Sequence, residues 1–283
     1  MHRLAISAFA FMLATAVLPI RAQDYAQERQ AYKTRLLRTG PSPQPYEAVR
    51  LPENVEAIGY PSGTLRLKGW LVTPKKLSAP LVSIIYLHGG FAFGDDDYKL
   101  AQPFIDAGYP VMFPLLRGEN GNPGNFELMY GEVEDALAAA RWLSTTSKVR
   151  STKVAFFGHS VGGAVSELTS LWNAESVLLS GSTGALYPPE VFQGWGAMVP
   201  FDATSRKEVI FRSFVSNLPS MKRRHVAYIG SEEPQARLVK RYRDLATTHN
   251  APLSITVVPG NHETSIAPAM RAFLAELQKP TLK

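Results

Sequence analysis

The sequence predicts an α/β protein with a doubly wound, mostly parallel sheet of about eight strands and a short insertion or cap after strand 6. From residue 81 onward, short apolar segments alternate with segments of helical periodicity, as expected for a sheet covered by helices on both faces. The segment 81–87 is apolar almost throughout, which is typical of a strand buried on both faces. With 283 residues, of which 45% are hydrophobic, the chain is long and apolar enough to form one sizeable core.

The first 22 residues differ from the rest and predict a secretory signal peptide. Met1-His2-Arg3 is a short basic start, residues 4–18 are nearly all apolar or small, and cleavage is expected near Ala22. An uncleaved anchor is the alternative, but the apolar run is short for a membrane span. The leader therefore predicts an exported protein, periplasmic or secreted, with no stable membrane insertion after cleavage.

Residues 23–52 predict an N-terminal helix, over 23–38, and a stiff proline-rich connector, over 40–45. Residues 53–283 predict one domain, because neither an internal repeat nor a second apolar core divides them. The domain begins with a hairpin-like pair of strands at 55–60 and 65–73. The later strands are expected at 81–87, 111–116, 154–157, 175–179, 225–229 and 253–258, and the later helices at 98–107, 130–143, after the turn at 158–163, at 235–248 and at 264–277.

Residues 182–220 do not follow this alternation. They are rich in large apolar side chains and are broken by Pro188, Pro189 and Pro200. We expect a small cap over the site, and the alternative is an irregular segment packed on the domain. The large side chains are Tyr187, Phe192, Trp195, Met198, Phe201, Phe211 and Phe214.

The stretch 153–172 joins a buried strand to a helix through a serine flanked by glycines, Ser160. A strand, a sharp turn and a helix are the context of the G-x-S-x-G nucleophile elbow. Gly158 and Gly162 relieve the steric clash of such a turn. The N–H of Val161 would then lie at a helix N-terminus, where it can stabilise developing negative charge. A glycine-rich turn with a surface serine is the alternative, but this context favours a nucleophile for acyl transfer.

A serine hydroxyl becomes a good nucleophile only when a base takes its proton and a carboxylate orients that base. Among six histidines, His262 follows the final strand and should share a sheet edge with Ser160, so it is the predicted base; a loop histidine that only caps a helix is the alternative. His159 is expected to point away from Ser160. The acid should follow the strand at 225–229, where Glu233 is the first choice and Glu232 the second, and Asp202 in the insertion is a distant third. Either glutamate could instead act only as a helix N-terminal acid.

The second oxyanion donor should come from the loop after the strand at 81–87, which reads His88-Gly89-Gly90-Phe91. The N–H of Phe91 or of Gly90 is the predicted donor, and His88 is expected to stabilise the loop rather than to react. Three aromatic side chains are predicted to contact the substrate: Phe91 of this loop, and Tyr187 and Trp195 of the insertion.

Composition excludes several other classes of function. The chain has no cysteine, so disulfides, thiolate metal sites and a cysteine nucleophile are excluded. The net charge of +6 is mild and spread out, and Lys222-Arg223-Arg224 is the only tight basic cluster, so no nucleic-acid partner is expected. Asp95-Asp96-Asp97 could bind a cation, but acids at a helix start more often serve as caps. We expect neither a metal nor a cofactor, and the sequence does not predict an oligomeric state.

The order of these motifs resembles the α/β-hydrolase fold across about residues 53–279. Three segments look like the catalytic domain of the prolyl oligopeptidase and dienelactone hydrolase group: 87–91 (LHGGF), 117–121 (RGENG) and 131–139 (GEVEDALAA). The resemblance implies an acyl-enzyme mechanism in which Ser160 is the nucleophile, His262 the base and Glu233 the acid. In two respects the chain departs from the group. The acid position usually holds Asp, and the segment before the hydrolase pattern is too short for the propeller of the oligopeptidases.

These observations predict an exported serine hydrolase that cleaves an ester, or an amide or peptide bond, of a small molecule or short peptide. The first alternative is a peptidase of the prolyl oligopeptidase type acting on short peptides. The second is a catalytically silent binding protein with the hydrolase fold, against which the intact set of serine, histidine and acid argues.

Overall fold

The computed structural model describes residues 24–50, 52–74 and 82–279, and the predicted leader lies outside them. Within the described residues, eight strands form one sheet. They are β1 Val55–Ser62, β2 Leu65–Val72, β3 Val82–Leu87, β4 Val111–Pro114, β5 Lys153–His159, β6 Val177–Thr183, β7 His225–Gly230 and β8 Leu253–Val258. Their order across the sheet is β1-β2-β4-β3-β5-β6-β7-β8. β2 pairs antiparallel with β1 and β4, and all the other pairs are parallel, so the predicted fold class is confirmed.

Helices cover both faces of this sheet. They are α1 Tyr25–Ala31, α2 Asp95–Leu100, α3 Gln102–Asp106, α4 Gly131–Thr145, α5 Ser160–Thr169, α6 Val191–Gly194, α7 Arg206–Ile210, α8 Val239–Thr248 and α9 Ile266–Leu277. Apolar residues of α4, α5 and α8 form a core layer on one face, and those of α3 and α9 form a second layer on the other. Every residue of β3 is buried, as the continuous apolar segment predicts for a strand between two layers. None of the described helices combines the length and the apolar character needed to cross a membrane.

The N-terminal helix is shorter than the sequence predicts, because it ends at Ala31 rather than near residue 38. The following residues are held in an extended path by the insertion. The N–H of Arg35 donates to Glu208 at 2.7 Å, and the N–H of Leu37 donates to the carbonyl of Pro200 at 2.7 Å. These tertiary hydrogen bonds outweigh the local preference for helix.

The helix expected at 98–107 is also different, since it is divided into α2 and α3. Pro103 lies in the first turn of α3, where its missing N–H costs nothing, but in a continuous helix it would remove a hydrogen bond and clash with the preceding turn. The acids Asp95, Asp96 and Asp97 form the first turn of α2, and the Asp97 carboxylate accepts a hydrogen bond from Gly94 N–H at 2.8 Å. Asp97 therefore has the capping role that the sequence favoured, whereas Asp96 pairs with Lys99.

The insertion lies between β6 and β7 and contains α6, α7 and two 3₁₀ turns, Gly196–Met198 and Val215–Ser220. Its aromatic side chains Phe192, Phe201, Phe211 and Phe214 are buried in the layer that contains α4 and α5. The N-terminal segment packs on it, since the Tyr25 hydroxyl donates to the carbonyl of Phe211 at 2.7 Å. The insertion is therefore anchored to the domain, and only part of it approaches the candidate site.

Candidate active site

Ser160 lies at the junction of β5 and α5 and has φ of +53°. A left-handed conformation is uncommon for a residue other than glycine and marks a sharp turn. A Cβ on Gly158 would lie 2.2 Å from the carbonyl oxygen of Gly162. A Cβ on Gly162 would lie 2.3 Å from the carbonyl oxygens of Leu87 and His88. Only glycine therefore allows the turn to close against β3, as the elbow pattern predicts.

The structure brings Ser160, His262 and Glu233 into one hydrogen-bonded chain. His262 Nε2 lies 3.1 Å from Ser160 Oγ, and His262 Nδ1 lies 2.9 Å from Glu233 Oε2. The three residues follow β5, β8 and β7, whose carboxyl ends meet at one edge of the sheet. The second glutamate considered, Glu232, is exposed, and its backbone N–H donates to Gly260 at 3.0 Å.

The negative charge of Glu233 and the positive charge of protonated His262 stabilise each other. The hydrogen bond and the negative charge of Glu233 raise the pKa of His262 above its usual value, against the opposing effect of burial. Burial raises the pKa of Glu233, but hydrogen bonds from His262 and from Gly230 N–H outweigh it and hold that pKa below the usual range. Glu233 is therefore ionised at neutral pH and can stabilise an imidazolium.

His159 packs against His262, and this contact was not foreseen. The two ring centroids are 4.7 Å apart, and His159 Nε2 lies 4.0 Å from a carboxylate oxygen of Glu263. Burial, and then the nearby charge of His262, lowers the pKa of His159 to about 4, so this imidazole is neutral at neutral pH. No hydrogen bond joins His159 to Ser160, but its ring lies beside the histidine that contacts Ser160.

Of the two oxyanion donors predicted in the loop after β3, one is free among the described residues and one is engaged. The N–H of Phe91, one of the two predicted oxyanion donors, already donates to Gln44 Oε1 at 2.9 Å, and the Ser42 hydroxyl donates to the carbonyl of Phe91 at 2.6 Å. Among the described residues, the N–H of Gly90 has no hydrogen-bond partner. The N–H of Val161 lies in the first turn of α5, where no partner exists within the helix. The geometry thus favours Gly90 and Val161 over Phe91 as donors.

The buried side chain of His88 anchors the same loop. Its Nε2 lies 3.1 Å from Glu119, and its Nδ1 lies 2.9 Å from the carbonyl oxygen of Gly89. Burial alone would lower the pKa of His88, but the Glu119 carboxylate outweighs it and raises the pKa to about 9. The resulting buried ion pair holds the loop in place, which agrees with the stabilising role expected for His88.

The three aromatic residues predicted to contact the substrate form a continuous row. Trp195 lies edge-on to Tyr187 and to Phe91, with ring centroids at 5.3 and 6.3 Å. The Tyr187 hydroxyl lies 3.0 Å from Ser160 Oγ. Burial raises the pKa of Tyr187, so its hydroxyl stays protonated and can donate a hydrogen bond. The row gives this side of the site an apolar wall with one polar tip.

Tyr187 is positioned by a buried carboxyl group that the sequence interpretation missed. Leu186 has φ of +56°, and its N–H donates to Glu167 Oε1 at 2.9 Å. Ser182 donates to the same oxygen at 2.9 Å, and its hydroxyl also lies 2.9 Å from His225 Nε2. Burial raises the pKa of Glu167 to about 8. An acid within the otherwise apolar elbow helix was the available signal for this interaction.

Solved structures of esterases, a peptidase and a dienelactone hydrolase share the fold of this chain. An esterase from Pyrococcus furiosus superposes with a TM-score of 0.65 at 14% identity, covering 87% of this chain and 97% of the esterase. A Pyrococcus horikoshii acylaminoacyl peptidase gives 0.63 at 18% identity, covering 80% of this chain and 41% of the peptidase. A dienelactone hydrolase from Anabaena variabilis gives 0.57 at 16% identity, covering 79% of this chain and 96% of the hydrolase. At these identities the likeness shows the fold alone.

Two curated relatives are more similar in sequence but over shorter segments. The uncharacterized peptidase YtmA of Bacillus subtilis is 31% identical over 134 residues, which are 46% of this chain and 49% of that protein. The uncharacterized protein Rv2307c of Mycobacterium tuberculosis is 30% identical over 123 residues, 44% of this chain and 43% of that protein. The matched part of the chain thus spans about half the length of these relatives. The family model described as "Alpha/beta hydrolase family" matches residues 84–282, and the chain therefore belongs to the α/β-hydrolase family.

Proposed function

We propose that this protein is a serine hydrolase that cleaves carboxylic esters through an acyl-enzyme. The observation that carries the proposal is the hydrogen-bonded chain from Ser160 through His262 to Glu233 at the nucleophile elbow. Its three members have the chemistry, order and spacing that a nucleophile, a general base and an orienting carboxylate need. Membership of the hydrolase family supports the same reaction class.

In the proposed reaction, His262 Nε2 takes the proton of Ser160 as Oγ attacks the ester carbonyl carbon. Glu233 keeps the Nδ1 proton in place and stabilises the imidazolium that forms. The imidazolium then gives its proton to the departing alcohol, which leaves an acyl group on Ser160. Water attacks this acyl group by the same proton transfers in reverse order and releases the carboxylic acid.

Two backbone amides are proposed to stabilise the oxyanion. Val161 N–H lies directly after the nucleophile, and Gly90 N–H belongs to the loop that closes over it. Gly89 allows this approach, since a Cβ there would lie 3.5 Å from Ser160 Cβ and 2.9 Å from the His159 ring. Phe91 N–H instead donates a hydrogen bond to Gln44, which helps to fix the loop.

Tyr187 is proposed to act on the nucleophile in the free enzyme. Because the Ser160 proton is directed at His262 Nε2, the Tyr187 hydroxyl is the donor in its 3.0 Å contact with Ser160 Oγ. As Oγ leaves this contact to attack the carbonyl carbon, the Tyr187 hydroxyl becomes free to bind a polar atom of the substrate in the transition state of acylation. The apolar part of the substrate would pack on Trp195 and Phe91.

Ester hydrolysis is the first choice, and the second candidate is cleavage of short peptides. Near-complete coverage of the esterase and dienelactone hydrolase structures supports the first. The 31% identity to a protein named as a peptidase supports the second. Export to the periplasm or beyond the cell is part of the proposal and rests on the leader at residues 1–22.

Labelling with a fluorophosphonate probe tests the proposal. We expect one covalent adduct per chain, located on Ser160 by mass spectrometry and absent from Ser160→Ala. A correctly folded protein that forms no Ser160-dependent adduct would be a binding protein, and the proposal would be wrong.

The preferred bond is tested by steady-state kinetics on two substrate series. We expect p-nitrophenyl esters of short acyl chains to be cleaved with a higher kcat/KM than alanine or proline peptide anilides. Faster cleavage of the anilides would reverse the ranking of the two candidate functions.

A further inference from the structure

Three side chains with metal-binding atoms lie together beside the nucleophile: His159, His262 and Glu263. Each offers one ligand atom, and these atoms lie within 4.8 Å of one another. His159 is the last residue of β5, and the other two are neighbours in the loop that follows β8. We propose that they form a binding site for a divalent transition metal such as Zn²⁺, and that the bound ion reversibly blocks the active site.

His262 already has the arrangement of a metal-binding histidine. Its Nδ1 lies 2.9 Å from Glu233 and donates the ring proton to that carboxylate, so the ring lone pair is on Nε2. Histidine ligands of metals usually have the opposite ring nitrogen held by a carboxylate in this way, because it fixes the ring and makes the ligand more basic. Glu233 therefore prepares His262 for a metal ion as well as for a proton.

His159 and Glu263 face each other without a hydrogen bond. Their nearest atoms, His159 Nε2 and a Glu263 carboxylate oxygen, are 4.0 Å apart, which is too long for one. The His159 side chain is 6% exposed, its ring lies 4.7 Å from that of His262, and its Nδ1 has no hydrogen-bond partner among the described residues. The cluster therefore combines two closely packed imidazoles with a carboxylate that accepts no hydrogen bond from the described residues.

The cluster can reach the geometry of a zinc site by a small movement. Zn–N and Zn–O distances of about 2.0–2.2 Å place the ligands of a tetrahedral site roughly 3.4 Å apart. The present separations are at most 4.8 Å and exceed this value by up to about 1.4 Å. The Glu263 side chain is 75% exposed and can move by this amount, whereas Asn261 Oδ1 accepts the backbone N–H of Glu263 and holds the loop.

The donor set indicates which ions would bind. Two imidazoles and one carboxylate, with the fourth position open, are a ligand set found in zinc sites that keep room for water. Imidazole favours zinc, copper or nickel, whereas Mg²⁺ and Ca²⁺ favour oxygen. An ion on His262 Nε2 would occupy the space where Ser160 Oγ now lies, 3.1 Å from that nitrogen, so the Ser160 side chain would have to turn aside.

A metal ion on His262 Nε2 would use the lone pair that otherwise accepts the Ser160 proton. Ser160 would then lack its base, and hydrolysis would stop until the metal dissociates. The inhibition rests on the proposed function, whereas the binding itself does not.

Calorimetric titration of the tag-free, metal-stripped protein with ZnCl₂ tests the binding. We expect one ion per chain, with an affinity at least about tenfold weaker in Glu263→Gln, because a ligand is lost. Glu232→Gln is the matched control, since it removes the same charge from an exposed neighbouring loop and should bind like the wild type. Ser160→Ala should also retain binding. Absence of saturable binding, or equal affinity in Glu263→Gln and the wild type, would overturn the proposal.

Inhibition is then measured on p-nitrophenyl ester hydrolysis. The Zn²⁺ concentration for half-inhibition should match the calorimetric Kd, rise by the same factor in Glu263→Gln, and be reversed by a chelator, while Mg²⁺ should have no effect. Equal inhibition of the wild type and Glu263→Gln would place the inhibitory ion elsewhere and overturn the proposal. If the protein hydrolyses no ester, the proposed function fails, and the calorimetric comparison alone decides whether the metal site exists.

Discussion

Replacing Glu233 by Gln tests the proposed charge relation at the centre of the site. The substitution keeps the size of the side chain, and its carbonyl oxygen can still accept the Gly230 N–H that lies 2.8 Å from Glu233. The new amide group would donate toward His262 Nδ1, so the imidazole proton would move to Nε2 and face Ser160. In that tautomer His262 cannot take the Ser160 proton.

The expected size of the effect follows from the lost charge. A carboxylate and an imidazolium about 4 Å apart interact by about 4 kcal/mol at the effective dielectric constant of a protein surface. This corresponds to a rate factor of roughly 10³. The unfavourable tautomer lowers the rate further, and replacing the carboxylate by its amide in a known serine triad lowers kcat by about 10⁴. Because the His262 side chain is 40% exposed, solvent screens part of the charge, and we expect a loss in kcat/KM near 10³.

The assay is the pH dependence of kcat/KM for a p-nitrophenyl ester. The proposed reaction needs neutral His262, whose pKa is raised by Glu233, so the wild-type activity should fall as the pH drops through an inflection above His262's usual pKa. In Glu233→Gln the residual activity should show a lower inflection, because the charge that raises the pKa is gone.

Glu232→Gln is the control, because it removes one negative charge at the adjacent exposed position and should stay within about twofold of the wild type. Circular dichroism and the unfolding temperature verify that both variants fold. The reasoning is refuted if Glu232→Gln loses as much activity as Glu233→Gln, or if the inflection stays unchanged in Glu233→Gln.

Three further outcomes are expected. Tyr187→Phe should lower kcat/KM about tenfold, the equivalent of one hydrogen bond of about 1.4 kcal/mol, without changing the unfolding temperature, and an unchanged kcat/KM would exclude a role for the hydroxyl. Gly162→Ala should destabilise the protein by about 1–3 kcal/mol in denaturant titration, because its Cβ meets the β3 backbone, whereas Gly194→Ala, with open space around its Cβ, should not. Glu167→Gln should become more stable relative to the wild type as the pH rises toward 8. In the wild type, the buried Glu167 carboxyl has its pKa raised to about 8 and contributes stability at low pH. This contribution is lost as the pH rises through that value. Unfolding temperatures at several pH values measure this difference, and parallel curves would contradict it.

Local sequence patterns predicted the strands, the fold class and the turn at Ser160. The apolar segments predicted the strands, and the covered sheet confirms the fold class. Ser160 could be identified because the elbow is encoded within a few residues: a strand, two glycines that avoid close contacts, and a helix. His262 and the neighbouring pair Glu232 and Glu233 could be placed at the right edge because parallel strands deliver their following loops to one side.

Tertiary packing decided which of two neighbouring residues reaches the candidate site. Glu232 and Glu233 have identical chemistry, and only the direction of the loop after β7 brings one carboxylate to His262. The extended path after α1, and the hydrogen bond from Phe91 N–H to Gln44, depend on segments far apart in the sequence.

The sequence by itself therefore determined the order of the elements, the fold class and the elbow serine, because these depend on interactions over a few residues. The tertiary structure alone decided which carboxylate meets the imidazole, which of the two predicted loop amides is engaged, and that His159, His262 and Glu263 lie together. The physical reason is that contacts between distant segments depend on how loops leave the sheet and pack, and a shift of one residue there changes the side chain that faces the site.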